Sequence, residues 1–125
     1  MWSDKYNYYN IQSDNQFSQK VEIKTIVDIL LQTNLLVQKN HQSFTNSKSF
    51  PWVDIIIVQA TNGDFAATDK PLSHVNLIAI VCSKGNEINQ TIYKQTFLNI
   101  AAKLNWKLFL EADDEGNENI EVKHA

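Results

Sequence analysis

Three features of the sequence predict an α/β (α+β) fold: one domain, residues 1–125, in which a single mixed β-sheet of about four to six strands packs with two main helices. The run Ile55-Ile56-Ile57-Val58 is β-branched at both parities, as in a strand interior to a sheet. Residues 75–82 form a second strand that ends at Lys84-Gly85-Asn86. The segment behind it carries Tyr93, Phe97, Ile100, Ala101 and Leu104 at helical spacing. Trp106, Leu108 and Leu110 then alternate with Lys107, Phe109 and Glu111, so a strand follows the helix after Asn105 alone. Such a crossover places its two strands parallel in one sheet. With 125 residues, 43% of them apolar and 20% charged, the chain suffices for one core that buries roughly two thirds of its unfolded surface.

Taken in order, residues 6–12 are rich in aromatics and are expected to form a short entry strand or an ordered arm. Ser13 and Gln16 have the spacing of a capping box, and no Gly or Pro interrupts residues 13–33. Val21, Ile23, Thr25, Val27 and Ile29 also alternate with period two, but about 20 residues exceeds a usual strand, so length favours a helix. Residues 35–38 and 42–45 are two short strands around Lys39-Asn40-His41. Phe50-Pro51-Trp52 leads into a strand over 53–60, and Asn62-Gly63 suits a type I′ hairpin whose return strand is 64–68. A loop containing Pro71 covers 69–74. Asn86 caps the later helix, Glu87 places a negative charge in its first turn, and residues 119–123 add an edge strand.

Several function classes are disfavoured. The apolar runs 55–58 and 77–82 are far shorter than the roughly 20 residues of a membrane span. Met1-Trp2-Ser3-Asp4 lacks the basic start and apolar core of a secretory signal, and one cysteine, Cys82, fits a reducing compartment, so a cytoplasmic protein is expected. The chain has eleven Lys and no Arg, and so lacks the bidentate donor that nucleic-acid binders use most; direct nucleic-acid binding is not expected. His41, His74 and His124 are too scattered for a zinc site, Cys82 reads as a small buried hydrophobe, and no nucleophile-elbow pattern frames Ser73 beside His74. Three glycines, Gly63, Gly85 and Gly116, form no phosphate-cradling loop. No enzyme, metal or cofactor is expected.

Charge supplies the one positive signal. Residues 1–105 carry nine Lys against eight acids, whereas residues 106–125 carry two Lys against six acids, Glu111, Asp113, Asp114, Glu115, Glu118 and Glu121. Clustered carboxylates repel one another and are best tolerated in water or against a cationic partner. Glu111, Asp113, Glu115 and Gly116 imitate the first half of a calcium loop, but Val122 stands where a bidentate carboxylate must close the shell. The bland alternative is a solvated turn at Gly116-Asn117 between two strands. Among the aromatics Trp2, Tyr6, Tyr8, Tyr9 and Trp52, alternation forbids Tyr8 and Tyr9 from both pointing inward, so one of them is a contact candidate, while Trp52 is expected to pack.

Tyr8-Tyr9-Asn10-Ile11-Gln12-Ser13, Phe50-Pro51-Trp52, Asn62-Gly63-Asp64-Phe65, Asn76-Leu77-Ile78-Ala79-Ile80-Val81, Leu104-Asn105-Trp106 and Asp113-Asp114-Glu115-Gly116-Asn117-Glu118, read together, give a chain that resembles small immunity proteins of bacterial polymorphic toxin and contact-dependent growth inhibition systems. The likeness spans residues 8 to 122. It implies a cytosolic protein that binds and neutralises the toxic C-terminal domain of a cognate toxin, often a nuclease, and it implies no cofactor. No invariant contact residue carries over. Nuclease domains tend to be basic, so the acidic residues 111–121, with Tyr8 or Tyr9, are the expected toxin-binding surface. Two alternatives have distinct consequences: an acidic secretion chaperone would be a homodimer holding an unfolded client, and a small hydrolase would need converging carboxylates, which the adjacent Asp113 and Asp114 do not supply on a strand.

Overall fold

The computed structural model describes residues 5–14, 16–60, 74–85, 87–113 and 115–123, apart from the side chains of Glu87 and Ile88. The expected Asn62-Gly63 hairpin with its return strand, the loop at 69–73, the cap Asn86, and Trp2, Asp114 and His124 lie outside the described residues. The aromatic-rich segment near the N-terminus forms β1 (Tyr6–Gln12). It is followed by β2 (Val21–Glu22), α1 (Ile23–Gln32), β3 (Leu36–Asn40), β4 (Ser43–Asn46), β5 (Val53–Val58), β6 (His74–Val75), β7 (Leu77–Ser83), α2 (Glu87–Leu104), β8 (Lys107–Ala112) and β9 (Glu118–Val122).

The sheet is larger than expected. Seven strands pair in the order β3-β4-β5-β7-β1-β8-β9, and β2 pairs with β6 in a separate ribbon. Every neighbouring pair is antiparallel. The parallel relation expected of β7 and β8 holds across β1, which lies between them and runs against both. Strands β3 and β4, weak by propensity, join as a hairpin whose β4 pairs with the edge of β5.

The capping box expected from Ser13 and Gln16 does not start a helix. Asp14 Oδ1 accepts the backbone N–H groups of Gln16 at 2.8 Å and Ser18 at 3.2 Å, and its Oδ2 accepts from the Ser18 hydroxyl. A short polar side chain that captures nearby N–H groups competes with helix formation. Phe17 takes a φ of 53°, Val21 pairs with Val75, and α1 begins only at Ile23. At the other end of the sheet the helix-to-strand junction follows from Asn105, whose φ of 57° allows a Schellman closure. The Asn105 N–H donates to Ala102 O at 3.1 Å and the Trp106 N–H to Ala101 O at 2.9 Å, so β8 starts at once.

One parity of each central strand supplies the core. Tyr9 and Ile11 of β1, Val53, Ile55 and Ile57 of β5, Ile78, Ile80 and Cys82 of β7, and Leu108 of β8 join Ile26 and Leu30 of α1 and Tyr93, Phe97 and Ile100 of α2 in one cluster. Tyr93 lies nearly parallel to Phe97 at 5.8 Å and meets the edge of Phe50 at 5.7 Å. Its hydroxyl donates to Trp52 O at 2.5 Å and lies 2.9 Å from Ser83 Oγ, which anchors α2 to the chain just before β5. The opposite parity of β5 was expected to be covered as well. It is covered at Val58, which is 5% exposed, and open at Ile56, which is 39% exposed.

Burial therefore separates two adjacent isoleucines. Ile57→Ala, at a position with no exposure, is expected to cost about 3 kcal/mol, while Ile56→Ala is expected to cost under about 1 kcal/mol; urea unfolding of the two variants measures both.

Candidate functional site

Because the core takes one parity, the other parity of the central strands forms a second face. The register orders it into rows. Thr45, Asp54, Val81 and Tyr8 are successive cross-strand partners. The next row is Ser43, Ile56, Ala79, Asn10, Phe109 and Glu121. Glu111 lies two residues beyond Phe109 on β8 and so shares this face. Across the face runs an open hollow of about 830 Å³ whose lining includes Tyr8, Asn10, Ser43, Asp54, Ala79 and Glu111. Ala79 leaves a low point between larger neighbours. Toward β8 the face closes, for Phe109 is only 5% exposed.

One end of the hollow is packed by Phe17, which covers Val58, Ala60 and Leu77. The buried Asn76 holds it there. Its Oδ1 accepts the Ala60 N–H at 2.6 Å, and its Nδ2 donates to Ala60 O at 2.9 Å and to Phe17 O at 3.3 Å. Gln12, also buried and lining the hollow, donates from Nε2 to Asp14 O at 2.7 Å. At the β4–β5 side Lys39 Nζ is 2.8 Å from Asp54 Oδ1, so that carboxylate is already matched. Among the described residues, no side-chain hydrogen bond engages Tyr8 Oη, Asn10 or Ser43 Oγ. These neutral groups are available to something else.

The structure divides the acidic cluster instead of gathering it. Glu111 and Glu121 belong to the open face, and Glu121 Oε1 is 3.8 Å from Lys107 Nζ. Glu118 pairs with Ala112 at the opposite parity, while Glu115 is exposed in the turn of the β8–β9 hairpin. Asp113 builds that turn. Its Oδ1 accepts the N–H groups of Glu115 and Asn117, both at 2.9 Å, and its Oδ2 accepts from Asn117 Nδ2 at 3.0 Å. The Asn117 side-chain hydrogen bond, seconded by these backbone N–H groups, holds the Asp113 carboxyl below its ordinary value. Asp113 is thus a turn residue first, a role that Gly116-Asn117 signalled and the charge count hid. Among the described residues no three His, Cys, Asp or Glu side chains converge as metal ligands would.

Alternation also decides between the two tyrosines. Tyr9 is 1% exposed, packs at 5.4 Å against Phe97, and is removed from any contact surface. Tyr8 lines the hollow. Trp52, expected to pack, is 43% exposed and leans on Tyr6, itself 40% exposed, with ring centroids 5.5 Å apart. Asn10, Gln12, Ser43, Asp54, Ile56 and Ala79 were not foreseen as site residues. The signal that exposes them is the parity of Tyr8, carried from strand to strand by the register.

Two outcomes test this assignment of roles. Asp113 has a depressed folded-state value, so its contribution to the turn is complete above the ordinary carboxyl value of 3.8 and is lost as pH falls through the depressed one. After correction for the intrinsic pH dependence of exchange, protection of the Glu115 and Asn117 amides should fall across that acidic range, and Asp113→Asn should abolish that fall while keeping an Oδ1 acceptor. Cys82, without exposure in the core, has its thiol pushed up to about 12 by burial. Iodoacetamide at roughly pH 8.5 should leave it unmodified in the folded protein and alkylate it once denaturant is added. No protein-family model, curated protein or solved structure matches the chain, which leaves the chemistry of the open face to indicate what it does.

Proposed function

We propose that this chain is a cytoplasmic immunity protein that binds and neutralises the basic toxic domain of a cognate toxin, docking it on the open sheet face and the adjoining β8–β9 hairpin. The observation that carries the reading is a sheet face that the described helices leave open around Ile56, with a hollow bordered by an acidic edge. The described part of residues 107–123 holds five carboxylates against Lys107 and Lys123. Tyr8, Ile56 and Val81 give the face apolar and aromatic contact area of the kind that anchors protein interfaces. The neighbouring Tyr6–Trp52 pair widens that area with two half-exposed rings, residue types favoured among binding hot spots. Glu111 and Glu121 lie on the same face, so an approaching basic domain meets negative potential before it meets the hollow. A nuclease held there would have its polyanionic substrate excluded by charge and by bulk.

The experiment is co-expression with the toxin domain encoded beside this gene, paired with binding kinetics on the purified partners at low and high salt. Wild type should restore growth and bind more slowly as salt rises, because exposed charges separated by more than about 10 Å are screened at 0.1 M. Glu111→Gln, Glu118→Gln and Glu121→Gln combined, with Asp113 kept for the turn, should lower the association rate roughly tenfold at low salt and flatten its salt dependence. An unaltered rate in the triple variant would remove the electrostatic mechanism. Failure of the wild-type protein to bind or protect would remove the function itself.

A further inference from the structure

We infer, resting on the toxin-neutralising reading, that the partner is held at the Tyr6–Trp52 end of the open face through a projecting apolar side chain of its own, while the acidic hairpin serves its approach. Exposure points there first. Among the described residues six large apolar side chains are exposed, and four of them, Tyr6, Val37, Trp52 and Ile56, share this one face of the sheet. The register places them. Val37 pairs with Thr45, and through Asp54 and Val81 that row reaches Tyr8. Tyr6 lies opposite Ser83 in the next row, and Trp52, one residue before the Val53–Cys82 pair, extends β5 to the same level. Exposed apolar groups gathered on one side mark an interaction surface, whereas single scattered ones need no explanation.

Rigidity singles out Trp52 within that set. Phe50 and Val53 are buried on either side of it, and Tyr93 Oη donates to its carbonyl at 2.5 Å. The ring of Pro51 locks the backbone just before it. The indole packs on Tyr6 at 5.5 Å and takes no part in the core cluster. A large ring on a fixed backbone has two side-chain torsions to lose on binding, so it gives contact area at low entropic cost. Core packing accounts for Phe50 and Val53 but not for a tryptophan between them; a partner does.

The surrounding chemistry selects the occupant. Asp54 is the one carboxylate in these rows, and Lys39 Nζ takes it at 2.8 Å, so a Lys or Arg placed here meets no unmatched negative charge. Neutral rings beside Val81 and Ile56 match an aliphatic or aromatic side chain. A second copy of this chain fits worse, because it is itself acidic, at a net charge of −3, and brings like charge to the hairpin. From β3 to β1 the patch crosses four interstrand gaps, roughly 19 Å, by about 13 Å along the strands, a footprint well below the ~800 Å² that each partner of a stable complex buries. It is the centre of a larger interface. Tyr9 pairs with Leu110, so continuing the register sets Asn7 level with Ala112 and the acidic β8–β9 turn beside the Tyr6 end. A basic domain drawn in by that turn arrives over the ring pair, with charge on the rim setting the association rate and aromatics at the centre setting the dissociation rate.

The test measures the two rates separately, with the full-length protein and the toxin domain encoded beside this gene. Trp52→Ala should raise the dissociation rate roughly thirtyfold, the loss of an interface hot spot, and leave the association rate and its salt dependence within about twofold. Trp52→Phe should recover most of that loss, and Leu31→Ala, exposed on α1, should change neither rate. With Trp52 replaced by p-benzoylphenylalanine, illumination should crosslink this position to an apolar residue of the toxin domain, a readout independent of the stability of Trp52→Ala. Crosslinking to a Lys or Arg instead, or a Trp52→Ala dissociation rate within about twofold of wild type, would overturn the seat while leaving neutralisation in place. A dimer of the free protein that Trp52→Ala dissolves in sedimentation would overturn it in favour of a second copy. Absence of wild-type binding to the toxin domain would overturn both readings.

Discussion

Period-two alternation in β1, held between β7 and β8, is the constraint on which the remaining architecture depends. Tyr9 and Ile11 point into the core, against the layer that α2 helps to form, so Tyr8, Asn10 and Gln12 are committed to the other face. The antiparallel registers on both sides pass the same parity to Val81, Ala79 and Phe109. A slip of one residue would exchange the two sets, turning Asn10 and Gln12 toward the helices and Tyr9 and Ile11 away from them. The fold and the candidate site are therefore fixed by one register, and neither can be changed alone.

The amount of helix then determines which face stays open. Seven strands span about 29 Å across six gaps, and two helices laid side by side are roughly 20 Å wide. The helices α1, of 10 residues, and α2, of 18, suffice for one side of such a sheet and do not reach around to the second. The second side is kept from being a flat apolar surface by Asn10, Gln12, Ser43 and the Lys39–Asp54 pair, which interrupt Ile56, Ala79 and Val81. Mixed lining of this kind resists indiscriminate association and retains the capacity for specific hydrogen bonds.

Turn chemistry takes precedence over charge where both bear on the same residue. Asp14 and Asp113 each place a carboxylate over backbone N–H groups two and four residues ahead, and each closes a loop. At Asp14 this delays a helix to Ile23. At Asp113 it takes one carboxylate of the acidic cluster out of the pool available to a partner and sends Glu111 and Glu118 to opposite parities of the hairpin. Of the hairpin's carboxylates Glu111 borders the hollow, while Glu121 lies beside Lys107 on the same face.

The sequence by itself determined most elements: β5, β7, α2 and β8 were legible in apolar runs and spacing, β1 in its aromatics, and β3, β4 and β9 as short strands, as was the junction at Asn105. It also determined that one of Tyr8 and Tyr9 must face outward. It was ambiguous over residues 13–33, where helical length and period-two alternation coexisted, and only the capture of N–H groups by Asp14 and the pairing of Val21 with Val75 resolved them. The open face was illegible because β5 is apolar at both parities, which reads locally as burial on both sides. Whether a strand face is covered depends on how many helices exist elsewhere in the chain to cover it. Tertiary structure alone made that decision, and with it brought Asn10, Ser43, Asp54 and Glu111 from four different strands to the border of one hollow.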